Sequence, residues 1–167
     1  MTISEILLPE FDHEMANTRK ILERVPDDKM GWKPHEKSGT MGWLATHLAN
    51  LPHWGKDIVE KDSFDIAPAK GDAPRPSQPK TRKELLEVFD RNVAGTRAAI
   101  ANTKDDAWYK PWSLMAGGKP IFTQPKIAVL RNMMMAHSIH HRGQLSVYFR
   151  LNNVPVPGLY GPSADEK

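Results

Sequence analysis

Four segments of this chain set apolar residues at alternating intervals of three and four, and such a chain has few stable options besides helices packed on helices. In the first segment the stripe is Leu8, Phe11, Met15, Thr18, Leu22 and Val25, and it ends at Pro26. Pro9 suits a first turn, where its missing N–H costs little, so the helix is expected to start at Ser4 or at Pro9. The second begins near Thr40 with Met41, Leu44, Leu48 and Leu51 on one face; Pro52 inside that pattern predicts a kink or an early end. A third opens on Thr81-Arg82-Lys83-Glu84, a capping-box pattern, and continues through Leu85, Phe89, Val93, Thr96 and Ile100 to Asn102. The fourth runs from Pro125 to Asn152, where two asparagines and Pro155 supply the stop.

The connections carry the complementary signals. Residues 26–39 read as loop. Residues 62–80 hold four prolines and a glycine with no apolar period, which predicts a long surface crossover. Between Asp105 and Phe122 the pattern changes to Trp108, Trp112, Leu114, Gly117-Gly118, Ile121 and Phe122, as in a small hairpin or an ordered loop. The last fifteen residues read as a tail, packed or loose. The expected architecture is all-α: a four-helix bundle with a long crossover connection and a small hairpin before the last helix, in one domain over 1–167. A chain of 167 residues buries roughly two-thirds of its unfolded surface, enough for a core without staples.

Composition narrows the chemistry. There is no cysteine, which excludes disulfides, zinc ribbons, iron–sulfur clusters and a cysteine nucleophile, so any metal must be held by His, Asp or Glu. Against 20 Asp and Glu stand 23 Lys and Arg, scattered without a block of like charge. That is a poor footprint for nucleic acid, and none is expected as a partner. No apolar run approaches the roughly 18 residues that cross a bilayer, and Met1 to Glu5 lacks the features of a secretory signal, so a cytoplasmic protein with no membrane partner is expected.

Seven histidines remain, and two stand on the expected core stripe of the fourth helix: Ile127, Leu130, Met134, His137, His141, Leu145 and Tyr148. Residues four apart project from one face on successive turns, so both imidazoles can reach one ion. His47 holds the equivalent place on the second helix, one turn from Leu44 and Leu51. Spacing of three also suits a metal pair, so His137 with His140 stays open; the helical wheel favours His141, because His140 falls toward Met133 and Ala136. His13, His35 and His53 read as surface residues, and Trp43 and Trp54 as packing. Gln144, three residues beyond His141, is placed either to hydrogen-bond a ligand or to face water. Gly143 is unusual inside a helix, where it costs about 1 kcal/mol relative to alanine, and invites either a close neighbour or mere tolerance.

With these residues in view, the chain resembles the DinB-like, or YfiT-type, family of metalloproteins over nearly its whole length. The resemblance rests on His137-Ser-Ile-His-His141-Arg142-Gly143-Gln144-Leu145 with Tyr148 and Arg150, on the tail Val154-Pro155-Val156-Pro157 with Tyr160-Gly161-Pro162-Ser163-Ala164-Asp165, and on Lys33 to Ser38 leading to Leu44-Ala45-Thr46-His47-Leu48. It implies a bundle with a long crossover, a homodimer, and a divalent metal, zinc or nickel, on His47, His137 and His141. It also implies, from a few relatives, a thiol-dependent transferase or isomerase that uses a low-molecular-weight thiol as small-molecule substrate.

Three neutral imidazoles leave positions open to water or substrate, the pattern of catalytic metal sites. The expected function is a metal-dependent thiol S-transferase. A metal-dependent hydrolase would need a carboxylate or histidine near the bound water, and the sequence offers no clear candidate. The non-enzyme alternative is a metal-binding or stress-response protein. No residue is assigned a catalytic role beyond the ligands.

Overall fold

In the computed structural model, which describes residues 1–68 and 77–166, the chain is mostly helical with a small sheet. Four long helical runs share one core: α1 (Ile3–Leu22), α2 (Met41–Glu60), α3 (Arg82–Ala101) and a final run over residues 126–151, described below. α1 starts earlier than the two expected points. Thr2 caps it in a capping box with Glu5, so Pro9 lies inside the helix. Phe11, Met15, Thr18, Leu22 and Val25 are all buried, as their spacing requires.

α2 neither ends early at Pro52 nor loses its phase. Thr40 caps its start by accepting from the Trp43 N–H at 3.0 Å, and Met41, Leu44, Leu48 and Leu51 are buried. The helix continues eight residues past the proline. There it packs hardest on α3: a Cβ at Gly55 would stand 2.6 Å from Thr96 Cγ2, and the Thr96 hydroxyl donates to the carbonyl of Pro52. At the start of α3, Thr81 Oγ1 accepts from the Glu84 N–H, while the Glu84 carboxylate accepts from Lys80 N.

The all-helical expectation needs amending. A short helix α4 (Asp105–Trp108) buries Trp108 and leads into the antiparallel hairpin β2 (Pro111–Ala116) and β3 (Lys119–Pro125). Gly117 and Gly118, both at positive φ, make its two-residue turn. A further strand, β1 (Ser63–Asp65), pairs parallel with β2. It occupies the start of the expected crossover, and the Asp65 carboxylate accepts from the N–H groups of Gly117 and Gly118. Of that crossover, residues 69–76 lie outside the described residues.

The last run comprises α5 (Lys126–Val129), a π-helical stretch over Leu130–Ala136, and α6 (His137–Leu151), without a break. Its core stripe is not the expected one. Leu130, Met134 and Leu145 are buried, but Ser138, Arg142 and Phe149 fill the places between and beyond them. Ile127, His137, His141 and Tyr148 are half-buried at the edge. The π stretch takes more residues per turn than an α-helix, so the phase slips by about one residue before α6 begins. The tail is packed: Asp165 accepts from Val156 N and Glu166 from Gly158 N, and Arg150 and Arg24 pair with the same two carboxylates.

Candidate metal centre

The phase slip that turns Ser138 and Arg142 inward sets His137 and His141 on the flank of α6 facing α2. α2 presents His47 there, one turn after Trp43. The structure brings His47, His137 and His141 together, with one ring nitrogen from each inside a span of 4.8 Å. His137 Nε2 lies 3.4 Å from His47 Nε2 and 2.8 Å from His141 Nε2. Among the described residues no carboxylate shares the group. His140 is exposed; its ring neighbours that of His141 but takes no part in the cluster. His13, His35 and His53 are exposed and lie elsewhere.

A hydrogen bond on the far side of His141 decides where its proton sits. Gln144 Oε1 accepts from His141 Nδ1 at 2.7 Å. In a neutral imidazole that bond places the proton away from the cluster and leaves His141 Nε2 as a lone pair. The lone pair faces His137 Nε2 at 2.8 Å, where either a shared proton or a cation can join the two rings. Ligands about 2.0–2.1 Å from a tetrahedral ion are roughly 3.3–3.4 Å apart, as the His47–His137 pair is, while His137 and His141 lie closer. The residues fit a divalent metal.

Electrostatics favour the ligand form of each ring. Burial, and then the nearby rings of His141 and His137, push His47 down to about 4. Burial and the other imidazoles also lower His137, against the Met133 carbonyl; burial lowers His141, against its bond to Gln144. All three are neutral near pH 7, which is what coordination needs.

Two neighbours escaped the sequence reading. Trp43, taken as packing, is 56% exposed; its ring is parallel to that of His47 (6°, centroids 5.4 Å apart) and edge-on to that of His141 at 6.3 Å. The available signal was its spacing of four before His47. Trp54 does pack, against Phe64. Arg142, one residue past His141, is 1% exposed and points the other way, into Glu14.

Comparison with known proteins identifies the fold and the family. Over 159 residues the chain is 25% identical to an uncharacterized protein, YrdA, of Bacillus subtilis strain 168, across 95% of this chain and 89% of that protein. Its fold matches the crystal structure of a DinB-like protein from Bacillus cereus ATCC 10987, with a TM-score of 0.70 at 20% identity over 92% of this chain and 95% of that one. It also matches that of YjoA, a DinB-like protein from Bacillus subtilis, with a TM-score of 0.66 at 17% identity over 89% and 94% of the two chains. The family model of the DinB superfamily covers residues 10–145, from the first helix through both histidines of the last, and the chain belongs to that superfamily.

Proposed function

We propose that this chain is a four-helix bundle, elaborated by a small sheet, that holds one zinc or nickel ion on His47, His137 and His141 and acts as a metal-dependent thiol S-transferase. The observation that carries the metal is the convergence of three imidazoles, one ring nitrogen from each within 4.8 Å of the others, with Gln144 accepting from the far edge of His141. A bound divalent cation supplies a Lewis acid that favours a thiolate over a thiol. Around it, the Gln144 amide fixes the ring of His141, and Trp43 walls the side of His47. The half-exposed rings leave a side open to solvent for a substrate.

Two features favour a thiol over water as the attacking group. No Asp or Glu among the described residues joins the cluster, so the ligand group itself includes no carboxylate to act as a base for water. The chain has no cysteine of its own to occupy the site. The reaction class forms a sulfur–carbon bond between an external low-molecular-weight thiol and an electrophile; the thiol proton passes to solvent and the leaving group departs with its electron pair.

The deciding measurement is elemental analysis of the purified protein beside the triple variant His47→Ala/His137→Ala/His141→Ala. About one divalent ion per chain, lost in the variant, is expected for a three-imidazole site. No metal in the wild type after reconstitution sinks the reading. With metal loaded, thiol-dependent consumption of an electrophile is expected; background rates across several thiols and electrophiles would leave a non-catalytic metal-binding protein.

A further inference from the structure

Trp43 is held in place by contacts that the core does not need. More than half of the residue is in water, so its indole adds little to hydrophobic stabilisation. Yet it is fixed from several sides. Its backbone N–H is tied to the Thr40 cap, and its ring lies flat against His47. Gly39 packs so closely on the indole that a Cβ there would stand 2.5 Å from Trp43 Cε3. Gly39 is not at positive φ, so the indole, and not the backbone, is what calls for glycine at this position. The Gly39 carbonyl accepts from the Tyr148 hydroxyl at 3.2 Å, and Tyr148 meets the ring of Trp32 edge-on at 5.5 Å. Tyr148 stands two turns after His141 on the same helix, so the segment that seats Trp43 is anchored to the element carrying two of the three histidines.

The result is a rigid, flat, apolar surface at the rim of the cluster, in contact with His47 and His141 and still open to water. We infer that Trp43 is a specificity-determining residue that stacks the planar, unsaturated group of a substrate whose sulfur or electrophilic atom sits at the histidine cluster. The inference rests on the metal reading above and adds the substrate class to it: a thiol or electrophile carrying an aromatic or conjugated group next to its reacting atom. Flat groups gain from an indole by offset stacking, beyond the area they bury. A saturated ring of equal size buries similar area without that gain.

The test compares binding of two thiols to the metal-loaded protein without turnover: phenylmethanethiol, whose ring is planar, and cyclohexylmethanethiol, whose ring is not. Metal content is measured first on every variant. Trp43→Ala is expected to retain its metal and to lose ~3–10-fold in affinity for the aromatic thiol beyond any loss for the saturated one. Trp43→Phe should recover most of that difference. Gly39→Ala keeps the tryptophan but displaces it, and should reproduce the Trp43→Ala pattern with its metal intact. Equal preference for the two thiols in wild type and Trp43→Ala, with metal fully loaded, overturns the inference and leaves the metal reading standing. Failure of the wild type to take up metal overturns both.

Discussion

His141 and Arg142 are consecutive on one helix, and the polar clusters they join are opposites. Arg142 is 1% exposed, and each of its neighbours is answered: its guanidinium donates to the Glu14 carbonyl at 3.0 Å, to the Glu14 carboxylate at 2.6 Å, to Thr18 Oγ1 and to the Tyr160 hydroxyl. Tyr160 in turn donates to Glu14 at 2.8 Å, which ties the tail to α1 and α6. Charge is balanced within the group. At the histidine cluster, three imidazoles converge with no carboxylate among them. A closed network leaves no place for a ligand, while neutral imidazoles converging near the surface can take a cation. Adjacent residues thus divide the helix into a face that holds the fold and a face that presents the histidines.

The largest break in that contrast comes from the closed side. Arg142→Met leaves Glu14, 7% exposed, as a buried carboxylate without its cation, and removing one partner of a buried pair costs about 3–5 kcal/mol. Denaturant unfolding of the metal-free protein should show a loss of that size. His141→Ala, one residue away, should lower stability by less than about 1 kcal/mol in the metal-free protein while abolishing metal uptake, since its ring is half-buried and hydrogen-bonds only to Gln144 and His137, beside the exposed Trp43. If His141→Ala proved as damaging as Arg142→Met, the histidines would be part of the folding core and the division would fail.

A smaller effect separates the clusters by pH. His47 is lowered from 6.5 to about 4, and His137 and His141 are lowered too, all first by burial. A ring with a lower pKa folded than unfolded binds its proton more readily in the unfolded chain. Stability is therefore complete above about pH 6.5 and is lost as pH falls from there toward 4. Allowing for solvent around half-buried rings, the loss is of order 1–2 kcal/mol. Thermal melts of the metal-free wild type across that window should show the decline, and the triple histidine variant should not. An equal decline in both would place the acid-sensitive groups elsewhere.

How much of this was legible follows from what local spacing encodes. The interval of four between His137 and His141, and the place of His47 between Leu44 and Leu51, mark in the sequence the three residues that the structure brings together. The phase of the last helix was not legible. Met133, Met134 and Met135 are consecutive apolar residues, so nothing in the pattern marks the π stretch that moves the core stripe from His137 and His141 to Ser138 and Arg142. Burial of Arg142 depends on Glu14, 128 residues away, and on Tyr160 in the tail. β1 failed for a like reason: three residues with one apolar side chain form a strand only because β2 lies alongside.

Gly143 gives the smallest effect and the finest test of the division. It follows Arg142 on the exposed side of α6, and a Cβ there would meet nothing within 4 Å, so the close neighbour its place in a helix invited is not present. Its φ is not positive, and alanine fits without strain. Gly143→Ala should therefore stabilise the protein by about 0.5–1 kcal/mol through helix propensity alone, with metal content unchanged. Chemical denaturation measures the first and elemental analysis the second. A gain with metal retained would show that α6 has a third face serving neither the ion nor the buried network. A loss of stability would mean that something packs on Gly143 in solution, and a loss of metal would mean that the His141 ring depends on backbone freedom two residues away.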